Sequence, residues 1–235
     1  MAEPRIVAFG GASLLPSSND GALHRWLLDL TGIERPRICF LGTAGGDDPA
    51  DLANFYAVYA QLAEASHLGL FDRQIADTEA HLLAQDVIYV GGGNTANLLA
   101  IWRVHGVDVA LRRAWDSGVI LAGTSAGALC WFDSGLTDSF GPGLSPLKDG
   151  LRFLKGSFCP HYDSESLRRP RYHEVIGSGA LPDGYAVDDG VGLLFAGREL
   201  AEAVAVLPET RAFRVERRRG NDVEEIPIRP RILRG

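Results

Sequence analysis

The chain has 235 residues, 46% of them hydrophobic and 23% charged, with a formal net charge of −7 at pH 7. That balance suits a globular protein large enough to bury a core. A net negative chain lacks the broad basic field that neutralises phosphates, so no nucleic-acid partner is expected. No apolar run reaches the roughly 20 residues of a membrane span, so no membrane partner is expected either.

The segment M-A-E-P-R-I-V-A-F-G-G shows no signal-peptide pattern and enters a strand-like run at once. Arg5–Phe9 reads as a strand that ends in Gly10-Gly11. Residues 20–30 carry apolar side chains at helical spacing through Leu23, Trp26, Leu27 and Leu30. Arg37–Leu41 is a second strand, ending in G-T-A-G-G-D-D-P, and an alanine- and aromatic-rich helix follows over about residues 49–65. Residues 86–90 form a third strand that ends in Gly91-Gly92-Gly93-Asn94-Thr95, with a helix over about 96–103. A helix near 109–117 leads into the strand 119–122. Apolar strands alternating with helices imply crossover units, and four of these strands end in glycine-rich turns. Ligands bind at the carboxyl ends of strands in such sheets, so the turns should crowd around one crevice.

After about residue 140 the texture changes to short runs at 158–162, 185–187, 192–196, 203–207 and Ala212–Arg217, which read as strands extending the sheet or adding an antiparallel edge. From residue 211 the tail alternates apolar and charged residues, as an exposed edge strand does. The expected fold is α/β, a mostly parallel sheet with helices on both faces and extra strands in the C-terminal third, in one domain over residues 1–235. Cys39, Cys130 and Cys159 are odd in number, far apart and set in apolar runs, which points to buried reduced thiols and a cytoplasmic protein. No metal-ligand spacing occurs, so neither metal nor cofactor is expected.

Gly123-Thr124-Ser125-Ala126-Gly127 fits G-x-S-x-G directly after a predicted strand and before a predicted helix. The glycines let the chain turn sharply and present the serine hydroxyl, with the Ala126 amide aimed at developing negative charge. Gly91 to Thr95 lack the G-K-[ST] of a P-loop and do not fit G-x-G-x-x-G. What remains for that loop is a second amide of an oxyanion hole, from Gly92 or Gly93, with Asn94 and Thr95 as candidate substrate contacts. Of six histidines, His161 in F-C-P-H-Y-D stands at the end of an apolar strand after a proline, the place for a general base. Candidate acids to orient it are Asp133, Asp138, Asp163, Asp188 and Asp189, the last two in a turn between strand-like runs.

Tyr89-Val90-Gly91-Gly92-Gly93-Asn94-Thr95, Gly123-Thr124-Ser125-Ala126-Gly127-Ala128, Cys159-Pro160-His161-Tyr162 and Val187-Asp188-Asp189 together resemble the dipeptidase E family of serine peptidases, which includes the cyanophycinases. The resemblance covers about residues 6–207. It implies a fold like the class I glutamine amidotransferases and hydrolysis of dipeptides or short peptides, often with an amino-terminal aspartate, by a Ser-His-Asp acyl-enzyme route. It implies Ser125 as nucleophile, His161 as base, Gly92 or Gly93 with Ala126 as oxyanion hole, and Asp189 where the family carries glutamate. That last position is a departure, and Asp188 or an acid of the first half is the alternative. An arginine-bearing segment of the family resembles residues 168–174, which makes Arg168 and Arg171 candidates to bind an aspartate side chain. The partner is then a small peptide, with no oligomeric state assigned. Competing readings are an amidase or cyanophycinase-like hydrolase of a non-standard amide, and a non-catalytic relative that binds a small metabolite.

Overall fold

The computed structural model describes residues 3–15, 18 and 20–234. Five strands, β1 (Arg5–Phe9), β2 (Arg37–Leu41), β3 (Glu64–His67), β4 (Val87–Val90) and β5 (Ile120–Thr124), run parallel in the order β1-β5-β4-β2-β3. Helices α1 (Gly21–Asp29), α2 (Pro49–Tyr59), α3 (Thr78–Leu83), α4 (Thr95–His105) and α5 (Val107–Asp116) connect them, and α6 (Ala126–Leu129) follows β5.

Strands β4 and β5 are buried at every position, because both faces of the sheet are covered and near-continuous apolar runs are what such strands need. In β1 the alternation divides the faces. Val7 and Phe9 meet Leu23, Trp26 and Leu27 of α1 and Phe55 and Tyr59 of α2. Ile6 and Ala8 share the opposite core with Leu98, Leu99 and Trp102 of α4 and Leu111 and Trp115 of α5.

The remaining elements are β6 (Phe132–Thr137), β7 (Ser145–Leu147), β8 (Leu154–Cys159), α7 (Arg168–Gly177), β9 (Gly184–Val187), β10 (Val191–Ala196), β11 (Glu199–Ala205), β12 (Ala212–Arg217), β13 (Val223–Ile228) and β14 (Arg231–Ile232). Strands β10, β11 and β14 extend the first sheet beyond β1, with β10 antiparallel to both β1 and β11. The others build a second sheet, β13-β12-β9-β8-β6-β7, in which β6, β8 and β9 are parallel. Phe132, Leu154 and Phe158 of this second sheet lie in the same core as Ile6 and Leu121 of the first. Helix α7 covers the second sheet through Tyr172, Val175 and Ile176.

Two expectations change. The helix expected over about 49–65 stops at Tyr59, and Glu64–His67 forms the outermost strand, in register with β2 from Arg37↔Glu64 to Phe40↔His67. E-A-S-H has no strand-like apolar pattern and gains its structure from pairing. The late runs do not all extend one sheet, since β6 to β9, β12 and β13 form their own.

Cys39, Cys130 and Cys159 are buried and unpaired. Burial pushes the Cys39 and Cys159 thiols up to about 12, so they serve as small hydrophobes. No helix among the described residues is long and apolar enough to cross a membrane.

Candidate active site

The parallel register sets Val90 beside Gly123, and Phe9 beside Thr124. The turns after β1, β4 and β5 therefore open at one edge of the sheet. Ser125 follows β5 with φ 53° and ψ −114°, a left-handed backbone that a non-glycine residue adopts only when its surroundings impose it. Both flanking glycines are required by contact. A Cβ on Gly123 would stand 2.2 Å from the Gly127 carbonyl oxygen, and one on Gly127 would stand 2.3 Å from that of Val90. The Ser125 amide donates to Phe9 O, and the Ala128 and Leu129 amides donate to Ser125 O. Among the described residues, no backbone acceptor takes the amides of Gly92, Gly93 or Ala126. Gly92 borders the serine directly, since a Cβ there would be 3.5 Å from Ser125 Cβ.

His161 comes from the second sheet. Strand β8 ends at Cys159, Pro160 follows, and His161 takes a left-handed φ of 52°. Its parallel neighbour β9 pairs Ala186 with Cys159 and leads through Asp188 and Asp189 into β10 of the first sheet. Histidine and aspartate thus leave adjacent strand ends. His161 Nδ1 donates to Asp189 Oδ1 at 2.7 Å, because a carboxylate can only accept. In the neutral ring Nε2 is then the acceptor, and it receives the Ser125 hydroxyl at 2.8 Å. The Asp189 amide donates to Asp163 Oδ1 at 3.0 Å. Burial works to raise the Asp189 carboxyl, but the hydrogen bond and charge of His161, with smaller contributions from Ser164 and Arg168, together outweigh it, and the net direction is below the usual aspartate value. Asp188 is placed differently: its Oδ2 accepts from the Arg211 amide at 2.7 Å, and burial pushes its carboxyl up to about 6.

A cavity of about 390 Å³ opens over Ser125. Residues 11–13, Gly92-Gly93 and Thr124-Ser125 line it, so three of the four glycine-rich turns converge there. The fourth, residues 42–46, stands behind: the Asn94 amide donates to Ala44 O, and a Cβ on Gly93 would be 2.2 Å from that oxygen. Thr124 Oγ1 accepts from the Ala12 amide at 2.8 Å, tying the first turn to the serine turn.

Four expected substrate contacts lie outside the lining of this cavity. Asn94 caps α4, its side chain accepting from the Asn97 amide and donating to Ser139 O. Thr95 is buried, and its amide donates to Ser139 Oγ. Arg168 is buried with Nε on Glu165 and Nη1 on Leu136 O. Arg171 pairs with Glu174 and donates to Leu144 O. None of the four lines the Ser125 cavity. Asp163, one of the candidate acids, instead accepts from the Asp189 amide, and Thr124 of the serine motif ties the first turn to it, whereas Gly11 and Asp20 line the cavity without having been proposed as site residues. Only Gly11 carried a signal, as part of a glycine turn at a strand end.

A family model described as Peptidase family S51 matches residues 6–203. The chain belongs to peptidase family S51. This agrees with the resemblance carried by the G-G-G-N-T, G-T-S-A-G-A and C-P-H-Y motifs, and it makes the protein a serine-type peptidase. The S51 chain is 44% identical over 230 residues to the uncharacterized peptidase YgaJ of Bacillus subtilis (strain 168), covering 97% of this chain and 99% of that protein. Its fold matches the crystal structure of a peptidase from an acI-B1 Actinobacterium with a TM-score of 0.68 at 14% identity, over 97% of this chain and 95% of the other. A putative peptidase E protein from Listeria monocytogenes EGD-e matches with a TM-score of 0.64 at 16% identity, over 88% of the S51 chain and all of its own.

Proposed function

We propose that this S51 peptidase hydrolyses dipeptides or short peptides through an acyl-enzyme on Ser125. The carrying observation is the hydrogen-bonded chain Ser125–His161–Asp189, at 2.8 and 2.7 Å, at the mouth of a cavity bordered by amides that have no backbone partner among the described residues. His161 Nε2 takes the hydroxyl proton as Ser125 Oγ attacks the scissile carbonyl carbon. The amides of Ala126 and of Gly92 or Gly93 receive the resulting oxyanion, each such donor contributing about 3–4 kcal/mol in comparable hydrolases. His161 then gives its proton to the leaving amine as the C–N bond breaks. Water, deprotonated in turn by His161, releases the acid product and restores Ser125. Asp189 fixes the ring tautomer and stabilises the imidazolium. The cavity size and its glycine-rich walls favour a short peptide over a folded protein. Among its described lining residues no lysine or arginine stands ready to receive a substrate aspartate side chain.

The test is steady-state hydrolysis of a dipeptide panel by the wild type and Ser125→Ala. The substitution should lower kcat by about four orders of magnitude or more. Unchanged turnover in Ser125→Ala would falsify the reading, and absence of hydrolysis of every peptide by the wild type would redirect it to a non-peptide amide.

A further inference from the structure

Two carboxylates line the Ser125 cavity, Asp189 and Asp20, with no lysine or arginine among the described lining residues. Asp189 is engaged by His161, but Asp20 has little. Its Oδ2 accepts from the Ser13 amide at 2.7 Å, and among the described residues its Oδ1 has no hydrogen-bond donor. The titratable groups that act on Asp20 are His24 and Asp189.

His24 does not neutralise it. The ring is buried, with Nε2 donating to Ser13 O at 2.9 Å and Nδ1 standing 2.8 Å from the Tyr59 hydroxyl. Burial pushes its pKa down and so favours the neutral ring, in which Nδ1 accepts from Tyr59. Among the described residues Asp20 is therefore a partly buried carboxylate with one backbone donor and no counter-ion, and burial pushes its own carboxyl above the ordinary aspartate value. Such a group is costly until a cation reaches it. The free oxygen points toward the turn after Asp189, where a Cβ on Gly190 would stand 3.8 Å from Asp20 Oδ1. In a peptide's first residue the ammonium nitrogen is two bonds from the scissile carbonyl carbon. A substrate docked on Ser125 thus carries that cation into the same cavity.

We propose that Asp20 anchors the α-ammonium of the substrate's first residue, so that the cavity selects short peptides with a free amino terminus and disfavours an aspartate or glutamate side chain there. The assignment rests on the peptidase reading for its substrate but not for its binding geometry. It gives the negative cavity a use opposite to that of an arginine-lined aspartate pocket.

The experiment compares Ala-Leu, Lys-Leu, Asp-Leu and acetyl-Ala-Leu with wild type and Asp20→Asn, a variant whose side-chain oxygen can still accept from Ser13. In the wild type kcat/KM for Ala-Leu should exceed that for acetyl-Ala-Leu by about 10- to 100-fold, as expected for a charge-assisted hydrogen bond, and Lys-Leu should exceed Asp-Leu. Asp20→Asn should lose most of that advantage through KM, so that the ratio of free to acetylated peptide falls toward one. Equal rates on free and acetylated peptide, or equal losses on both in the variant, overturn the anchor and leave the peptidase reading standing. A second arm needs no turnover: alaninamide should raise the melting temperature of Ser125→Ala, acetyl-alaninamide should not, and adding Asp20→Asn should abolish the shift. That shift without hydrolysis of any peptide would sink the peptidase reading and keep the anchor. Its absence overturns the anchor.

Discussion

Gly11 and Asp189 are packed so closely that a Cβ on Gly11 would stand 2.1 Å from Asp189 Oδ1 and 3.0 Å from His161 Nδ1. The Gly190 amide donates to Gly11 O at 2.7 Å, and an isolated parallel bridge joins Gly11 to Asp189. The first glycine turn of the chain is thus a wall against which the carboxylate rests. Gly11→Ala should push the Asp189 side chain off Nδ1. That side chain is 42% exposed and can swing into solvent, so the fold should tolerate the change. Expected is a fall in kcat of about 10²- to 10⁴-fold with a nearly unchanged melting temperature, the loss approaching that seen when a triad acid is made neutral. Full activity in Gly11→Ala would remove Asp189 from the mechanism.

Gly123→Ala meets a different obstacle. Its Cβ would press on the Gly127 carbonyl group at 2.2 Å, which is backbone and cannot rotate away. Urea unfolding should show a loss of about 3 kcal/mol or more, or no folded protein. Gly92→Ala is the control: its nearest contact is Ser125 Cβ at 3.5 Å, and stability should change by less than about 0.5 kcal/mol.

The strands β1, β2, β4 and β5 were legible because burial on both faces demands continuous apolar runs, and Ser125 because its glycines have steric causes. His161 and Asp189 were named from their places at strand ends and from the family resemblance. Strand β3 was not legible, since E-A-S-H acquires its form only by pairing with β2. The second sheet was hidden for a related reason: β8 finds β6 and β9 through contacts distant in sequence. The partners of the arginines were not legible because charge alone does not reveal direction. Arg168 is spent on Glu165 and a carbonyl, and Arg171 on Glu174. Asp20 gave no signal, being one acid at the start of a helix.

Asp188 predicts a pH-dependent gain. Burial raises its folded carboxyl to about 6, so over the pH window between the ordinary aspartate value and 6 the folded state holds a proton that the unfolded state has lost. Stability therefore falls as pH rises through that window, and above it the buried charge persists as a cost. Asp188→Asn should stabilise the protein more at pH 8 than at pH 5, by about 1 kcal/mol after allowing for partial solvent screening. Thermal melts at the two pH values decide it, and an equal or reversed difference refutes the assignment.

Glu225 of β13 lies beyond the family match and gathers three partners: Tyr162, whose hydroxyl donates at 2.5 Å, His173 at 2.7 Å, and Arg169, which binds both carboxylate oxygens. Burial would raise its carboxyl, but hydrogen bonds from Tyr162, Arg169 and His173 outweigh it, and the net direction is down. A depressed carboxyl stabilises the fold above its unfolded pKa and loses that effect as pH falls through the folded value. Glu225→Gln should therefore be less stable than wild type by about 1–2 kcal/mol at pH 7, and the gap should close in acid. Because Tyr162 adjoins His161 with its left-handed backbone, kcat should fall more than KM changes.

The hydroxyl of the site stands on one sheet, while the imidazole and its carboxylate enter from the end of the other. Neither half holds a proton-transfer pair alone. During refolding each sheet can form its own backbone hydrogen bonds before the two meet, but turnover must wait for their union. Recovery of activity should then lag recovery of far-ultraviolet circular dichroism and coincide with the final burial of Phe132 and Phe158 against Phe195 and Ile6. For this protein an enzyme assay is a clock for the last step of assembly.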